Sequence, residues 1–161
     1  MILKMIQFIL IFNRQCKIRL KGWYDVYSVR EKRNITKELT STIMGRNHKM
    51  SNILEWKNAL IIYKRYASLI IAFATSKDEN ELLILEVIHR YVEVLDSYFG
   101  NVCELDLIFN FEKAYFLLDE FIEAGEILDT SKFSIARYVH HADNYQEEEL
   151  KSLAFEHIGT I

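Results

Sequence analysis

The sequence predicts a single α+β domain in which an antiparallel sheet of about five strands packs against helices. Three observations lead to this prediction. The first half of the chain contains several apolar or alternating runs, a four-residue apolar period separates two of these runs, and the second half contains long amphipathic stretches. The chain has 161 residues, half of them hydrophobic, which is enough apolar material for one packed core.

The first half of the chain reads as strands interrupted by one helix. Residues 5–12 form a continuous β-rich run, and residues 17–24 alternate charged and apolar side chains, as a strand with one buried face does. The period then changes over residues 28–44, because Ile35, Leu39 and Ile43 recur every four residues, like one face of a helix. Strands return at residues 53–56 and 60–75, and the second run is long enough to fold back near Ala67 and Ser68.

The second half reads as helical. Asp78 followed by Glu81 predicts a capping box at the start of the first long helix. Two apolar stripes follow: Leu85, Ile88, Val92, Leu95 and Phe99, then Phe111, Tyr115, Leu118 and Ile122. Gly125 is expected to stop the second helix, and a short last helix is expected from about Thr130 to His141. The predicted order is β-β-α-β-β-β-α-α, with a domain over residues 1–141 and a polar tail over residues 142–161.

The net charge of −3 conceals two oppositely charged halves. Residues 1–75 contain 14 Lys or Arg and 4 Asp or Glu, whereas residues 76–161 contain 6 and 19. A basic half could meet nucleic acid, acidic lipid or an acidic protein surface. Alternatively, the halves could face and neutralise each other in one fold. The basic residues are spread over several segments with no dense run, which weakens the nucleic-acid interpretation.

The sequence contains no pattern that assembles an active site or a metal site. There is no GxSxG, P-loop or GxGxxG motif, and adjacent His140 and His141 would point about 100° apart on a helix. Glu104 and Asp106 are explained by a helix N-terminus or a turn without acid–base chemistry. Cys16 and Cys103 form no ligand spacing and fit a reduced, cytosolic protein. We therefore expect a non-enzyme without cofactor or metal.

Several segments together resemble the sigma, or small, subunit of the clathrin adaptor complexes. They are residues 13–20 (NRQCKIRL), 87–96 (VIHRYVEVLD), 101–115 (NVCELDLIFNFEKAY), 118–121 (LDEF) and 124–126 (AGE). The similarity is collinear over roughly residues 5–135. Within the family, residues 52–56 (NILEW) and 63–69 (YKRYASL) are most similar to adaptor complex 1.

The resemblance implies a longin-like fold and a subunit without catalytic activity. It implies assembly with two large subunits, of gamma and beta type, and one medium mu subunit, with indirect attachment to clathrin and membrane. The implied location is the cytosolic face of the trans-Golgi network, endosomes and clathrin-coated vesicles. The implied role is to stabilise the complex and to help bind acidic dileucine signals, in which three residues separate an acidic residue from Leu-Leu or Leu-Ile.

The resemblance also implies which residues would bind the signal. The leucine pocket of the family falls on Ala67, Leu69, Val92, Asn101, Val102 and Leu107, and the basic residue that meets the acidic side of the signal falls on Arg19. Judged by periodicity alone, the apolar residues Val92, Val102 and Leu107 would be core residues and Arg19 an exposed strand residue. Cys16 stands where the family commonly has glycine, and Gly22 replaces a usual lysine.

Two further interpretations remain open at this stage. The chain could be a purely structural small subunit of a related adaptor or coat complex, with the pocket unused. It could also be a longin-type regulatory domain of a fusion or tethering factor, which would predict an attached heptad-repeat helix.

Overall fold

The computed structural model of the protein describes residues 6–123 and Lys151. Five strands and four helices lie in this part of the chain. The strands are β1 (Ile6–Asn13), β2 (Ile18–Trp23), β3 (Ile53–Trp56), β4 (Ala59–Tyr66) and β5 (Leu69–Ser76). The helices are α1 (Val29–Met44), α2 (Glu81–Phe99), α3 (Glu104–Phe109) and α4 (Phe111–Glu123).

The strands form one antiparallel sheet in the order β2-β1-β5-β4-β3. The predicted fold-back is confirmed, because Tyr66 pairs with Leu69 and only Ala67 and Ser68 connect β4 to β5. No glycine or proline marks this turn. Ala67 instead adopts a left-handed conformation with φ 51°, which most non-glycine residues avoid.

The helix α1 covers one face of the sheet. Its predicted apolar stripe, Ile35, Leu39 and Ile43, is buried together with residues of β1, β3, β4 and β5. The edge strand β2 adds the partly buried Ile18 and Trp23 to this cluster. Ser28 caps the helix, since its hydroxyl oxygen accepts from the Glu31 backbone N–H while the Glu31 carboxylate accepts from the Ser28 N–H.

The helices α2, α3 and α4 cover the opposite face and form the larger core cluster with the sheet. The predicted stripe of α2 is confirmed: Ile88, Val92 and Leu95 are buried, and Leu85 and Phe99 are partly buried against the same cluster. The stripe of α4 is only partly right. Leu118 is buried, but Phe111 is 51 % exposed, and Ala114, Leu117 and Phe121 complete the buried face.

The predicted capping box at Asp78 and Glu81 is wrong. Asn80 caps α2 instead, because its side-chain oxygen accepts from the backbone N–H groups of Leu82 and Leu83. Asparagine immediately before the first helical residue can reach these donors, whereas Asp78 lies two positions too early. The predicted stop at Gly125, the last helix and the boundary between residues 141 and 142 lie outside the described residues.

The sheet separates the charged helices. The basic helix α1 lies on one face, and the helices from the acidic half lie on the other. Within residues 6–123, two ion pairs join the halves, Arg19 with Glu104 and Lys77 with Glu55. Most of the basic side chains of α1 therefore do not meet the acidic helices.

Candidate functional site

The seven predicted site residues lie on the strands and helices that meet at one end of the sheet. This is the end where β1 finishes, β5 begins and Asn13 pairs with Leu69. Arg19 lies in β2, Ala67 and Leu69 border the β4–β5 turn, Val92 lies in α2, Asn101 and Val102 connect α2 to α3, and Leu107 lies in α3.

The four larger apolar members belong to one hydrophobic core cluster. Leu69 and Leu107 are each 1 % exposed, Val102 is 3 % exposed and Val92 is 4 % exposed. These values leave almost no open apolar surface for an incoming side chain. Ala67 and Asn101 are exposed, so they lie at the rim of the cluster rather than in its wall. Because Ala67 is exposed in the β4–β5 turn, its side chain does not line the interior of the predicted pocket.

A bulge in β2 sets the position of Arg19. Ile11 pairs with Leu20, whereas the next residue, Phe12, pairs with Ile18, so Arg19 is the extra residue of β2. A bulge bends the strand and changes the direction of a side chain. Arg19 Nε then donates to Glu104 Oε1 over 2.7 Å, which links the edge strand to the start of α3.

Glu104 is a second charged group of this site, and the sequence did not indicate its role. The hydrogen bond from Arg19, followed by the one from Asn13, lowers the pKa of the Glu104 carboxyl below its ordinary value. Its position in the first turn of α3 agrees with the expectation of a helix N-terminus. No local pattern indicates that a residue 85 positions away would be its partner.

Asn13 joins the β1–β2 turn to α3. Its side-chain oxygen accepts from the backbone N–H groups of Gln15 and Lys17, and its Nδ2 donates to Glu104 Oε1 over 2.7 Å. The residue is only 4 % exposed. An asparagine at the start of a turn predicts the two local bonds, but it does not predict the third.

Asp96 fixes the other side of the site. Its carboxylate accepts from the Tyr66 hydroxyl over 2.7 Å and from the Val102 backbone N–H over 2.9 Å. The Tyr66 hydrogen bond to Asp96 also raises the pKa of this tyrosine. Gly100 and Asn101 both have a left-handed backbone, with φ 65° and 64°, and this reverses the chain after α2. Asparagine tolerates that conformation better than most residues.

The two departures from the family pattern have local structural consequences. Cys16 adopts φ 62° in the β1–β2 turn, a conformation that glycine would adopt without strain. At Gly22 an added Cβ would lie 2.6 Å from the Tyr24 hydroxyl oxygen, so any larger residue requires Tyr24 to move.

Two other features of the described residues concern function. No group of three His, Cys, Asp or Glu side chains in this part of the chain could hold a metal ion. The same residues include no helix with the length and apolar character needed to cross a bilayer. His140 and His141 lie outside the described residues.

Comparisons with known proteins agree with the resemblance. The family model for the clathrin adaptor complex small chain matches residues 5–146. The sigma-3 subunit of the AP-1 complex from Mus musculus is 52 % identical over 143 residues, which cover 89 % of this chain and 93 % of that protein. The sigma-1A subunit of the AP-1 complex from Homo sapiens is 51 % identical over 145 residues, which cover 90 % and 92 %.

The fold comparison points to the same family. A chain in a homology model of the full-length AP-3 complex in a stretched open conformation superposes with a TM-score of 0.71 at 30 % identity. The match covers 93 % of this chain and 98 % of that chain. The predicted longin-like α+β fold is confirmed.

Proposed function

The chain belongs to the family of clathrin adaptor complex small chains, and from this membership we propose that it is the small subunit of an AP-1-type adaptor that helps bind acidic dileucine signals. The family consists of adaptor subunits, which confirms the expectation of a non-enzyme. The proposed partners are gamma-type and beta-type large subunits, a mu subunit and cargo tails. The proposed location is the cytosolic face of trans-Golgi and endosomal membranes, with clathrin bound through the complex.

The observation that carries the cargo proposal is the ion pair between Arg19 and Glu104. It brings a guanidinium to the start of the helix whose residue Leu107 belongs to the apolar cluster. Only Nε of Arg19 bonds to Glu104, and within the described residues its two terminal nitrogens make no hydrogen bond. Those nitrogens could donate to the acidic residue of a signal while the leucines enter the cluster.

Leucine entry requires the cluster to open, and α3 is the element most easily displaced. It has only six residues, and Leu107 is its single buried side chain. Withdrawing that leucine from the core costs roughly 2 kcal/mol. Breaking the partly exposed hydrogen bonds from Arg19 and Asn13 to Glu104 adds about 1 kcal/mol to this cost. Each leucine of a bound signal gains roughly 1.5–3 kcal/mol on burial.

These opposing terms leave a weak site, roughly micromolar at best. Because only molecules with an open cluster can bind the signal, the apparent affinity is the affinity of the open form multiplied by the fraction of molecules that are open. Weak binding suits a coat that holds cargo through many sites at once on a membrane.

The decisive experiment titrates the assembled complex with an acidic dileucine peptide. Ala67→Asp adds a negative charge at the rim, where φ 51° suits aspartate at least as well as alanine. Asn58→Asp is the matched control in the β3–β4 turn, at the opposite end of β4, whose eight residues span about 23 Å at about 3.3 Å per residue. Val92→Asp is less informative, because Val92 is 4 % exposed and the change would disturb the core.

We expect Ala67→Asp to weaken peptide binding by about five-fold, since a negative charge near an acidic ligand costs on the order of 1 kcal/mol. Asn58→Asp should bind like the wild type, and a peptide with Ala-Ala in place of its leucines should not bind. Equal binding by both variants, together with normal complex assembly, would leave the purely structural subunit as the correct interpretation.

Assembly itself is supported by an exposed apolar surface on α3 and the start of α4. Leu105 is 59 % exposed, Ile108 38 %, Phe109 77 % and Phe111 51 %. Adjacent exposed apolar side chains are typical of a protein interface. Affinity purification of the tagged chain from cytosol, with co-purifying chains identified by mass, should recover two large subunits and one medium subunit. Recovery of the chain without them would contradict the assembly proposal.

A further inference from the structure

A second concave site lies on the other face of the sheet, between α1 and the edge strand β2. The cleft has a volume of about 590 Å³. Four cationic side chains line it, Lys21 from β2 and Lys32, Arg33 and Lys37 from α1. Trp23 forms part of the wall, with Lys32 Nζ 5.8 Å from the centre of its ring.

These cations are not neutralised within the described residues. No carboxylate between residues 6 and 123 lines the cleft, and none of the four cations forms an ion pair with another residue in this range. The two acidic residues of α1 are engaged elsewhere. Glu31 completes the capping box with Ser28, and Glu38 pairs with Lys57 over 3.0 Å.

Four cations that have no ion-pair partner among the described residues, placed around one concave space, are suited to a ligand with more than one phosphate. Arg33 can donate two parallel hydrogen bonds to a phosphate, and lysines act as mobile point charges around it. A single carboxylate would leave most of this charge uncompensated. The chemistry therefore favours a phosphorylated headgroup over an acidic side chain.

The rim of the cleft favours a membrane lipid over a phosphopeptide. Val29 lines the cleft and is 74 % exposed, and Val26, three residues earlier, is 95 % exposed. Apolar side chains next to a basic surface are typical of proteins that insert a few residues between lipid headgroups while cations bind the phosphates. A phosphate of a soluble peptide could bind the cleft without Val26, which does not line it.

We propose that the cleft between α1 and β2 binds the multiply phosphorylated headgroup of an acidic membrane lipid, with Val26 and Val29 entering the interface. This inference goes beyond the proposed function and does not depend on it, because the cleft and the apolar cluster lie on opposite faces of the sheet. The adaptor would then contact the membrane through its small subunit as well as through its partners.

The test is co-sedimentation of the full chain with vesicles. Phosphatidylcholine vesicles carry either about 5 % phosphatidylinositol bisphosphate or about 20 % phosphatidylserine, which gives similar total charge. The test variant is Lys32→Glu/Lys37→Glu. The matched control is Lys49→Glu/Lys64→Glu, which makes the same charge change outside the cleft. Lys32→Gln/Lys37→Gln repeats the test without charge reversal if the first pair lowers stability.

We expect the wild type to prefer the phosphoinositide vesicles over both phosphatidylserine and neutral vesicles. Each basic side chain at an anionic surface contributes about five-fold in binding, so the glutamine pair, which loses two charges, should bind vesicles about 30-fold more weakly. The glutamate pair reverses both charges and should lose more. The control pair should bind like the wild type. Val26→Ser should weaken vesicle binding while leaving the affinity for soluble inositol trisphosphate unchanged.

Three results would overturn the proposal. The first is equal vesicle binding by the cleft pair and the control pair. The second is equal binding to phosphoinositide and phosphatidylserine vesicles, which would indicate attraction to surface charge without a headgroup site. The third is unchanged vesicle binding by Val26→Ser combined with stronger competition by a phosphopeptide than by inositol trisphosphate, which would assign the cleft to a peptide.

Discussion

Replacing Glu104 with glutamine removes the charge that joins α3 to Arg19 and Asn13 while keeping an oxygen acceptor. The two hydrogen bonds to Glu104 Oε1 are both 2.7 Å long, and the side chains of Arg19 and Glu104 are 25 % and 24 % exposed. Partial exposure screens the pair, so we expect a loss of about 1 kcal/mol in the free energy of unfolding at neutral pH.

The loss should depend on pH in a defined direction. Because the hydrogen bonds from Arg19 and Asn13 lower the pKa of folded Glu104, its stabilisation is complete above the unfolded pKa of about 4.3. It disappears as the pH falls through the lower pKa of the folded protein. The stability gap between wild type and Glu104→Gln should therefore be largest at neutral pH and close in acid.

Urea unfolding at a series of pH values measures this gap. Glu112→Gln is the matched control, because Glu112 lies in the first turn of α4, as Glu104 does in α3, and forms no ion pair among the described residues. A gap that persists unchanged into acid would refute the reasoning. So would an equal loss in the two variants, since the cause would then be the helix terminus rather than Arg19 and Asn13.

Four other predictions concern stability and assembly. Cys16→Gly should raise the free energy of unfolding by about 0.5–1 kcal/mol, because relief of φ 62° outweighs the added freedom of the unfolded chain; lower stability in thermal melts would contradict this. Leu39→Ala, at a fully buried position of α1, should cost about 2–5 kcal/mol in urea unfolding, whereas Leu82→Ala at a 75 % exposed position should cost far less. Tyr66→Phe should lower the free energy of unfolding by about 1 kcal/mol, because it removes the hydrogen bond to Asp96. Unchanged stability would show that the hydrogen bond between Asp96 and Val102 is sufficient without Tyr66. Phe109→Ser should reduce co-purification of large subunits at least several-fold while Met50→Ser, at a position 52 % exposed, should not; equal recovery would exclude Phe109 from the interface.

The periodic parts of the fold were predictable because burial repeats with the period of the backbone. The four-residue spacing of Ile35, Leu39 and Ile43 predicted α1 correctly, and the apolar stripe that includes Val92 predicted α2. Predictions that depended on one or two residues were weaker. The cap of α2 was assigned to Asp78 rather than Asn80, since several polar residues before a helix can serve and only the backbone path selects one.

The candidate site was likewise predictable only in part. The apolar character of Leu69, Val92, Val102 and Leu107 was evident in the sequence, and so was the charge of Arg19. The burial that closes the cluster was not, because it depends on how a six-residue helix packs over the end of the sheet. The role of Glu104 was equally hidden, since its partners Asn13 and Arg19 lie 91 and 85 residues away in the chain.

By itself the sequence determined the family, the class of the fold and the opposite charges of the two halves, because identity, periodicity and composition are properties of the chain. The tertiary structure decided which charges meet. Placing α1 and α2 on opposite faces of one sheet keeps the basic side chains of α1 away from the acidic helices, and the bulge at Arg19 turns a basic residue of β2 toward Glu104. Charges interact according to their separation in space and the solvent between them, and neither is set by their order along the chain.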